Sequence, residues 1–322
     1  MLSIRLAKMA DVRAIQRLNQ QQAKRLAALD PRLPASVVIP SWLLLAEGGA
    51  GWVACEGEEL VGALSVEPEE WPPHSPFANV FPRRYLRMRL ILGDAADPAA
   101  VIPALMARAN GWLGVAPDFG RMLLHPLCDT AVSDVLEAEG FAPYHIIASQ
   151  PMPAYLPDSD VPGLEISAAT RHDVHAVAVL MAESWRFHAA YQPAIVISPH
   201  ILEGCERQTR QMLGDGIQRV MLVARLDGEV VGFFGIGLSA QDAHARPALF
   251  ATGYYGDIYE VGVRGDLRRQ GIGRALFAAA WRWFSIRNVR GMLVNYAPTN
   301  PLSSRFWPAM GFKDAWVNWW RA

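Results

Sequence analysis

Cysteine is scarce in this chain: Cys55, Cys128 and Cys205 are the only three among 322 residues. Their odd number and wide spacing exclude a disulfide framework and match neither zinc-type nor redox pairs. A reduced, cytoplasmic setting is the expectation that follows. No uncharged apolar run is long enough to span a bilayer, and the start, Met-Leu-Ser-Ile-Arg-Leu-Ala-Lys, alternates apolar with polar residues instead of forming a signal core. No membrane partner is therefore expected. Net charge is also near zero, at −1, which gives no electrostatic reason to expect nucleic acid. No metal is expected either, because His172 and His175 stand in the first turn of a helix after Thr170 without further ligands beside them.

The chain is rich in apolar residues, at 52%, which supports globular cores, and it is too long for one of them. Two domains are expected, and the sequence repeats itself accordingly. Ile4, Ala7, Asp11, Val12, Ala14 and Leu18 recur as Ile166, Ala169, Asp173, Val174, Ala176 and Leu180, at a constant offset of 162. Glu59-x-Val61-Gly62 recurs as Glu229-x-Val231-Gly232, Met122-Leu123 as Met292-Leu293, and Gly140-Phe141 as Gly311-Phe312. A domain-sized period points to tandem domains and not to a solenoid. Pro151 to Gly163, with four prolines among acidic residues, reads as the linker. The expected units are residues 1–150 and 164–322. Each reads as a strand, an amphipathic helix, a hairpin turning near Gly57-Glu58 or Asp227-Gly228, a strand, a helix and a closing strand-helix-strand.

One segment differs between the repeats. After the apolar stretch Ile258–Val263 comes Arg264-Gly265-Asp266-Leu267-Arg268-Arg269-Gln270-Gly271-Ile272-Gly273-Arg274, opening an apolar-periodic run. An R-x-x-G-x-G pattern at a helix start offers unpaired N–H groups and the positive end of the dipole to phosphate oxygens. It is not a Walker loop, which needs Gly-Lys-Ser/Thr, nor a dinucleotide fingerprint, because Leu276 stands where the third glycine belongs. The arginines fit an anion: 17 basic against 13 acidic residues follow Gly163, and 13 against 18 precede it.

This segment resembles the pyrophosphate loop of the GNAT acyltransferase superfamily, V-x-P-x-x-R-x-x-G-x-G, with Gly265 in place of the proline. A second stretch, Asn300 to Phe312, is similar to the family's N-x-x-A-x-x-x-Y-x-x-x-G-F signature; Asn300, Gly311 and Phe312 match, while Ser303 and Trp307 replace alanine and tyrosine. The resemblance implies an α/β (α+β) fold of two GNAT-like domains, each a mixed, mostly antiparallel sheet flanked by helices. It also implies acetyl-CoA as co-substrate and transfer of the acetyl group to a small-molecule or peptide amine. Val261, Gly262, Val263, Arg268, Arg269, Gln270, Gly271, Ile272, Gly273, Arg274 and Asn300 would then hold the cofactor, with Trp307 packing beside the pantetheine arm. Asn300 with Pro301 is also a good helix cap.

Glu260, in the cofactor strand and on the face opposite Tyr259 and Val261, is either the general base or an ordinary carboxylate on a solvated strand. Trp185, His188, Tyr254 and Tyr255 are candidates for the acceptor wall, though aromatic residues at helical spacing more often belong to a core. Counted at an offset of 170, Arg268 maps to Pro98, Gly271 to Val101 and Gly273 to Pro103, and Asp97 before Pro98 caps the helix itself. The first domain thus reads as a degenerate copy, packed on the second as an intrachain pseudo-dimer. Indole has no proton to give in water, so a non-catalytic acyl-CoA-binding module is the rival reading.

Overall fold

The computed structural model describes residues 1–37, 50–71, 84–113, 120–153, 161–192, 194–213, 217–242 and 248–322. The first half contributes β1 (Leu2–Leu6), α1 (Val12–Leu29), β2 (Ala50–Glu56), β3 (Glu59–Glu70), β4 (Arg84–Leu92), α2 (Pro98–Leu113), β5 (Gly120–Pro126), α3 (Thr130–Ala138) and β6 (Ala142–Pro151). The second contributes β7 (Glu165–Ala168), α4 (Val174–Ala189), α5 (Ile201–Met212), β8 (Arg219–Leu226), β9 (Glu229–Gln241), β10 (Gly253–Val263), α6 (Ile272–Ser285), β11 (Gly291–Tyr296), α7 (Ser303–Ala309) and β12 (Lys313–Arg321). Both expected hairpin turns are present, and Asp227 and Gly228 adopt the left-handed backbone (φ 51° and 81°) that a tight two-residue turn requires.

The two sheets expected from the repeat are one. Twelve strands run in the order β1-β2-β3-β4-β5-β12-β6-β11-β10-β9-β8-β7. Among the described residues only β4/β5 and β10/β11 are parallel. The order is symmetric about its centre, and the closing strands are exchanged. β12, from the second half, lies between β5 and β6; β6, from the first, lies between β12 and β11. Each half therefore ends its sheet with the other's last strand. Pro151, expected in the linker, ends β6 opposite Gly291, and residues 154–160 of that linker lie outside the described residues.

Alternation along the strands sends apolar side chains to two layers. On one face α2, α3, α6 and α7 close a single core that crosses the centre of the sheet, with Ile102, Leu105 and Leu136 from the first half and Leu276, Phe284 and Trp307 from the second. Gly256 lets this layer close, because a Cβ there would collide with the Phe284 ring. On the other face α1 and α4 lie over their own hairpins. Leu26 and Leu33 then pack on Phe250, Tyr255, Leu293 and Ala315 of the second half. Arg32 fixes that join: its guanidinium, paired with Asp30, donates to the carbonyls of Lys313 and Asp314, each at 2.6 Å. Hydrophobic burial and a charge-assisted clamp thus hold the halves together.

Candidate active site

The site is built on a parallel pair that comes apart. β10 follows β9 along its length but meets β11 only at Gly256, Asp257 and Ile258. From Tyr259 to Val263 its second edge has no neighbouring strand among the described residues. The ladder also slips there, from Ile258 opposite Ile236 to Glu260 opposite Gly235, so Tyr259 is the extra residue of a β-bulge. A bulge re-aims side chains, and this one overturns simple alternation. Tyr259 and Glu260 share a face, both within 3.5 Å of where a Cβ on Gly235 would stand. A Cβ on Gly237 would collide with the Tyr259 hydroxyl, so the two glycines make room for that ring.

Glu260 is half-buried, and burial pushes its carboxyl up to about 7, against the opposing pull of a hydrogen bond from Gln208. Gln208 Nε2 donates to Glu260 Oε1 at 2.9 Å. Gln208 lies on α5, a helix absent from the sequence reading although Ile201 and Cys205, one turn apart, mark its buried side. Asp257 lies on the same face as Glu260, and burial likewise pushes its carboxyl up to about 7. Sequence reasoning passed over it because a lone acid in a strand carries no motif.

Beyond β10 the chain makes a short 3-10 turn (Gly265–Leu267) and enters α6. Arg269 (φ 64°) and Gly271 (φ 92°) are left-handed, a conformation that curls successive N–H groups toward one side. Gly271 occupies the N-cap without a capping side chain, and the first bond into the helix is Ala275 N to Gly271 O, at 3.0 Å. The N–H groups of Ile272, Gly273 and Arg274 have no acceptor within the helix. Arg268 is held at the rim: its Nε donates to Val263 O at 3.2 Å, and its guanidinium lies 4.7 Å from the centre of the Phe187 ring. Arg269, Gln270 and Arg274 are exposed beside it.

Several expected neighbours stand elsewhere. Trp307 is 2% exposed, enclosed by Phe234, Phe306 and Phe312, so the structure does not place it where a pantetheine arm could touch it. Phe306 is the aromatic residue that faces Gly273. Asn300 is buried and its Oδ1 accepts from Leu302 N at 2.9 Å, a turn-capping bond. Tyr255 is core, its hydroxyl donating to Ala251 O. Tyr254, 60% exposed, alternates to the face opposite Glu260. Neither tyrosine joins the carboxylates. Trp185 and His188 share α4, with ring centres 6.1 Å apart.

The first half shows what happens when these features are missing. β4 has no bulge, so Arg89, opposite Ser65, occupies the place of Glu260, opposite Gly235. The true offset beyond the bulge is therefore 171 and not 170. Gln22 of α1 accepts from Leu92 N at 2.7 Å, closing the strand edge. Its counterpart on α4 is the short Ser184, whose hydroxyl donates to Val261 O at 3.4 Å and gives the edge N–H groups no acceptor. Asp97 accepts from Ala99 N at 3.0 Å and fills the helix start. The strand-edge N–H and the helix start that have no side-chain acceptor among the described residues of the second half are thus both capped by side chains in the first.

Residues 187–312 match the model of the acetyltransferase (GNAT) family. The second half is a GNAT-family domain. The whole chain superimposes on a GCN5-related N-acetyltransferase from Sphaerobacter thermophilus with a TM-score of 0.64, at 17% identity, covering 99% of this chain and 95% of that one. It is similar also to a tandem GNAT protein from the clavulanic acid biosynthesis pathway, with a TM-score of 0.52, 17% identity and coverage of 100% and 98%. A glucosamine N-acetyltransferase region in a fungal multi-domain β-N-acetylglucosaminidase gives a TM-score of 0.53 at 14% identity, covering 99% of this chain and 38% of that one. No curated protein matches the sequence. Likenesses this distant speak to the fold, and the fold of the whole chain is that of a tandem GNAT protein. No described helix is long and apolar enough to cross a membrane. Among the described residues, no group of three or more His, Cys, Asp or Glu is placed to hold a metal.

Proposed function

We propose that the protein is an acetyl-CoA-dependent N-acetyltransferase in which residues 164–322 are the catalytic unit and residues 1–150 its degenerate partner. The observation that carries this reading is the coincidence, on one strand, of an open backbone edge at Val261–Val263 with a half-buried carboxyl at Glu260. The open start of α6, with Arg268, Arg269 and Arg274, suits a pyrophosphate. The strand edge suits the amide groups of an extended pantetheine arm, which pairs with exposed backbone as an added strand does. Acyl-CoA would supply the activated thioester there.

The chemistry then asks little of side chains. Glu260 takes the proton from the acceptor ammonium, the free amine attacks the carbonyl carbon, and the open-edge N–H groups of Val261 and Val263 are the backbone donors for the developing oxyanion. A C–N bond forms, the C–S bond breaks, the nitrogen releases its extra proton to solvent as the amide forms, and the departing thiolate takes a proton from solvent. No cysteine is placed for a covalent intermediate: Cys205, the nearest, is buried and its thiol is pushed up to about 12. The rival, a binding module without turnover, draws on the burial of Trp307, which leaves α7 no proton donor at that place. Assay of free CoA thiol with a panel of amines decides between them. Thiol release that depends on the amine is expected; tight acetyl-CoA binding with no release for any amine favours the rival.

A further inference from the structure

We propose that the first half completes the second half's site: His145, on β6, is a positioning residue that acts through Gln192 and the last turn of α4 on the loop arginine Arg268. The proposal rests on the reading of that loop as the cofactor site. The strand exchange brings β6 beside β11, and with it a polar contact to the residue that follows the last turn of α4. His145 Nε2 lies 2.6 Å from Gln192 Nε2. Gln192, 2% exposed, also donates from Nε2 to Tyr144 O at 3.3 Å, which turns its amide nitrogen toward the first half. Gln192 directly follows the turn that ends α4, where Tyr191 N donates to His188 O at 2.9 Å. His188 Nδ1 in turn stands 3.3 Å from Asn300 Nδ2, and Asn300 Oδ1 is already committed to Leu302 N.

The end of α4 is thereby tied both to β6 and to the loop before α7. With its Nδ1 against Asn300 Nδ2, His188 is tied to the loop before α7 and is not proposed as a base. What it does carry is position. Phe187, its neighbour on α4, is the ring beneath the Arg268 guanidinium. The charged and titratable groups around His188 are Arg268 from the loop and His145 from β6; burial and the arginine both hold the imidazole below its ordinary value. Burial holds His145 down to about 3, so it stays a neutral acceptor at every working pH. A buried amide that loses its partner is costly and shifts to find another. Loss of His145 would therefore release the turn that seats Arg268.

A double-mutant cycle tests this, with acetyl-CoA affinity measured by calorimetry on the full chain for wild type, His145→Phe, Arg268→Gln and the double variant. His145→Phe keeps the bulk and removes the acceptor. It should weaken acetyl-CoA binding about tenfold, the scale of coupled neighbours, and raise KM for acetyl-CoA with kcat nearly unchanged. That loss should vanish in the Arg268→Gln background, and His145→Gln, which retains an acceptor, should restore affinity. Additive losses, or wild-type affinity in folded His145→Phe, would overturn the proposal. An Arg268→Gln variant that binds normally sinks the loop reading and the proposal with it. Where His145→Phe does not fold, Gln192→Met takes its place in the same cycle.

Discussion

Glu260→Gln is expected to lower turnover about a hundredfold at neutral pH, the usual scale for loss of a positioned base, while acetyl-CoA affinity stays close to wild type. Glutamine fills the same volume, and the amide can still meet Gln208, whose own amide group bonds the carboxylate in the wild type. The packing is thus preserved and the proton acceptor is lost. The pH profile gives the sharper signature. The carboxyl is pushed up to about 7 by burial, and the ionised form is the base. The rate should therefore rise with pH through about 7, level off above it, and fall as the carboxylate is protonated below it. In the glutamine variant that limb should disappear. Full activity of the variant across the pH range would move the base elsewhere, with Asp257, on the same face and with its carboxyl likewise raised, next in line.

The second large effect concerns the exchanged strands. Residues 163–322 expressed alone should be insoluble or self-associating, and inactive. In the intact chain β12 lies between β5 and β6, and β11 depends on β6 for its other edge; the truncated segment lacks both first-half strands. It would expose an unpaired edge on β11 and a strand carrying Trp316, Val317, Trp319 and Trp320, three of which are buried or half-buried in apolar clusters of the intact chain. Exposed apolar edges of this kind pair with other copies. Light scattering and thermal melts of the segment check the expectation. A monomer with cooperative unfolding and full activity would contradict it.

The strand, loop and helix start around Arg268 to Gly273 were legible in the sequence because glycine and arginine at fixed spacing after an apolar stretch mark such a junction. The repeat was legible because hydrophobic periodicity survives low identity. The capping of α2 by Asp97 followed from residue chemistry alone. What escaped the sequence is non-local. The bulge at Tyr259 leaves no local mark, yet it sets which side chains face the site and shifts the repeat by one residue, so that Arg89 and not Leu90 replaces Glu260. The exchange of β6 and β12 escaped for a similar reason: the same alternating pattern serves a strand whichever half it pairs with. Gln22 and Ser184 were invisible as a pair until α1 and α4 were seen lying over the two strand edges, where the long amide accepts from an edge N–H and the short hydroxyl donates to an edge carbonyl instead. Trp307 occupied the motif position of a tyrosine, but its large apolar ring found the core instead.

The central claim, that one half of a duplicated chain retains the cofactor site and the other has closed it, is tested most directly by calorimetric titration of the full protein with acetyl-CoA, alongside Gly271→Asp. Aspartate tolerates a left-handed backbone better than most residues, and its carboxylate would fill the start of α6 much as Asp97 fills that of α2. One site per chain is expected in the wild type and no measurable binding in the folded variant. Two equivalent sites in the wild type, or an unchanged affinity in folded Gly271→Asp, would contradict it.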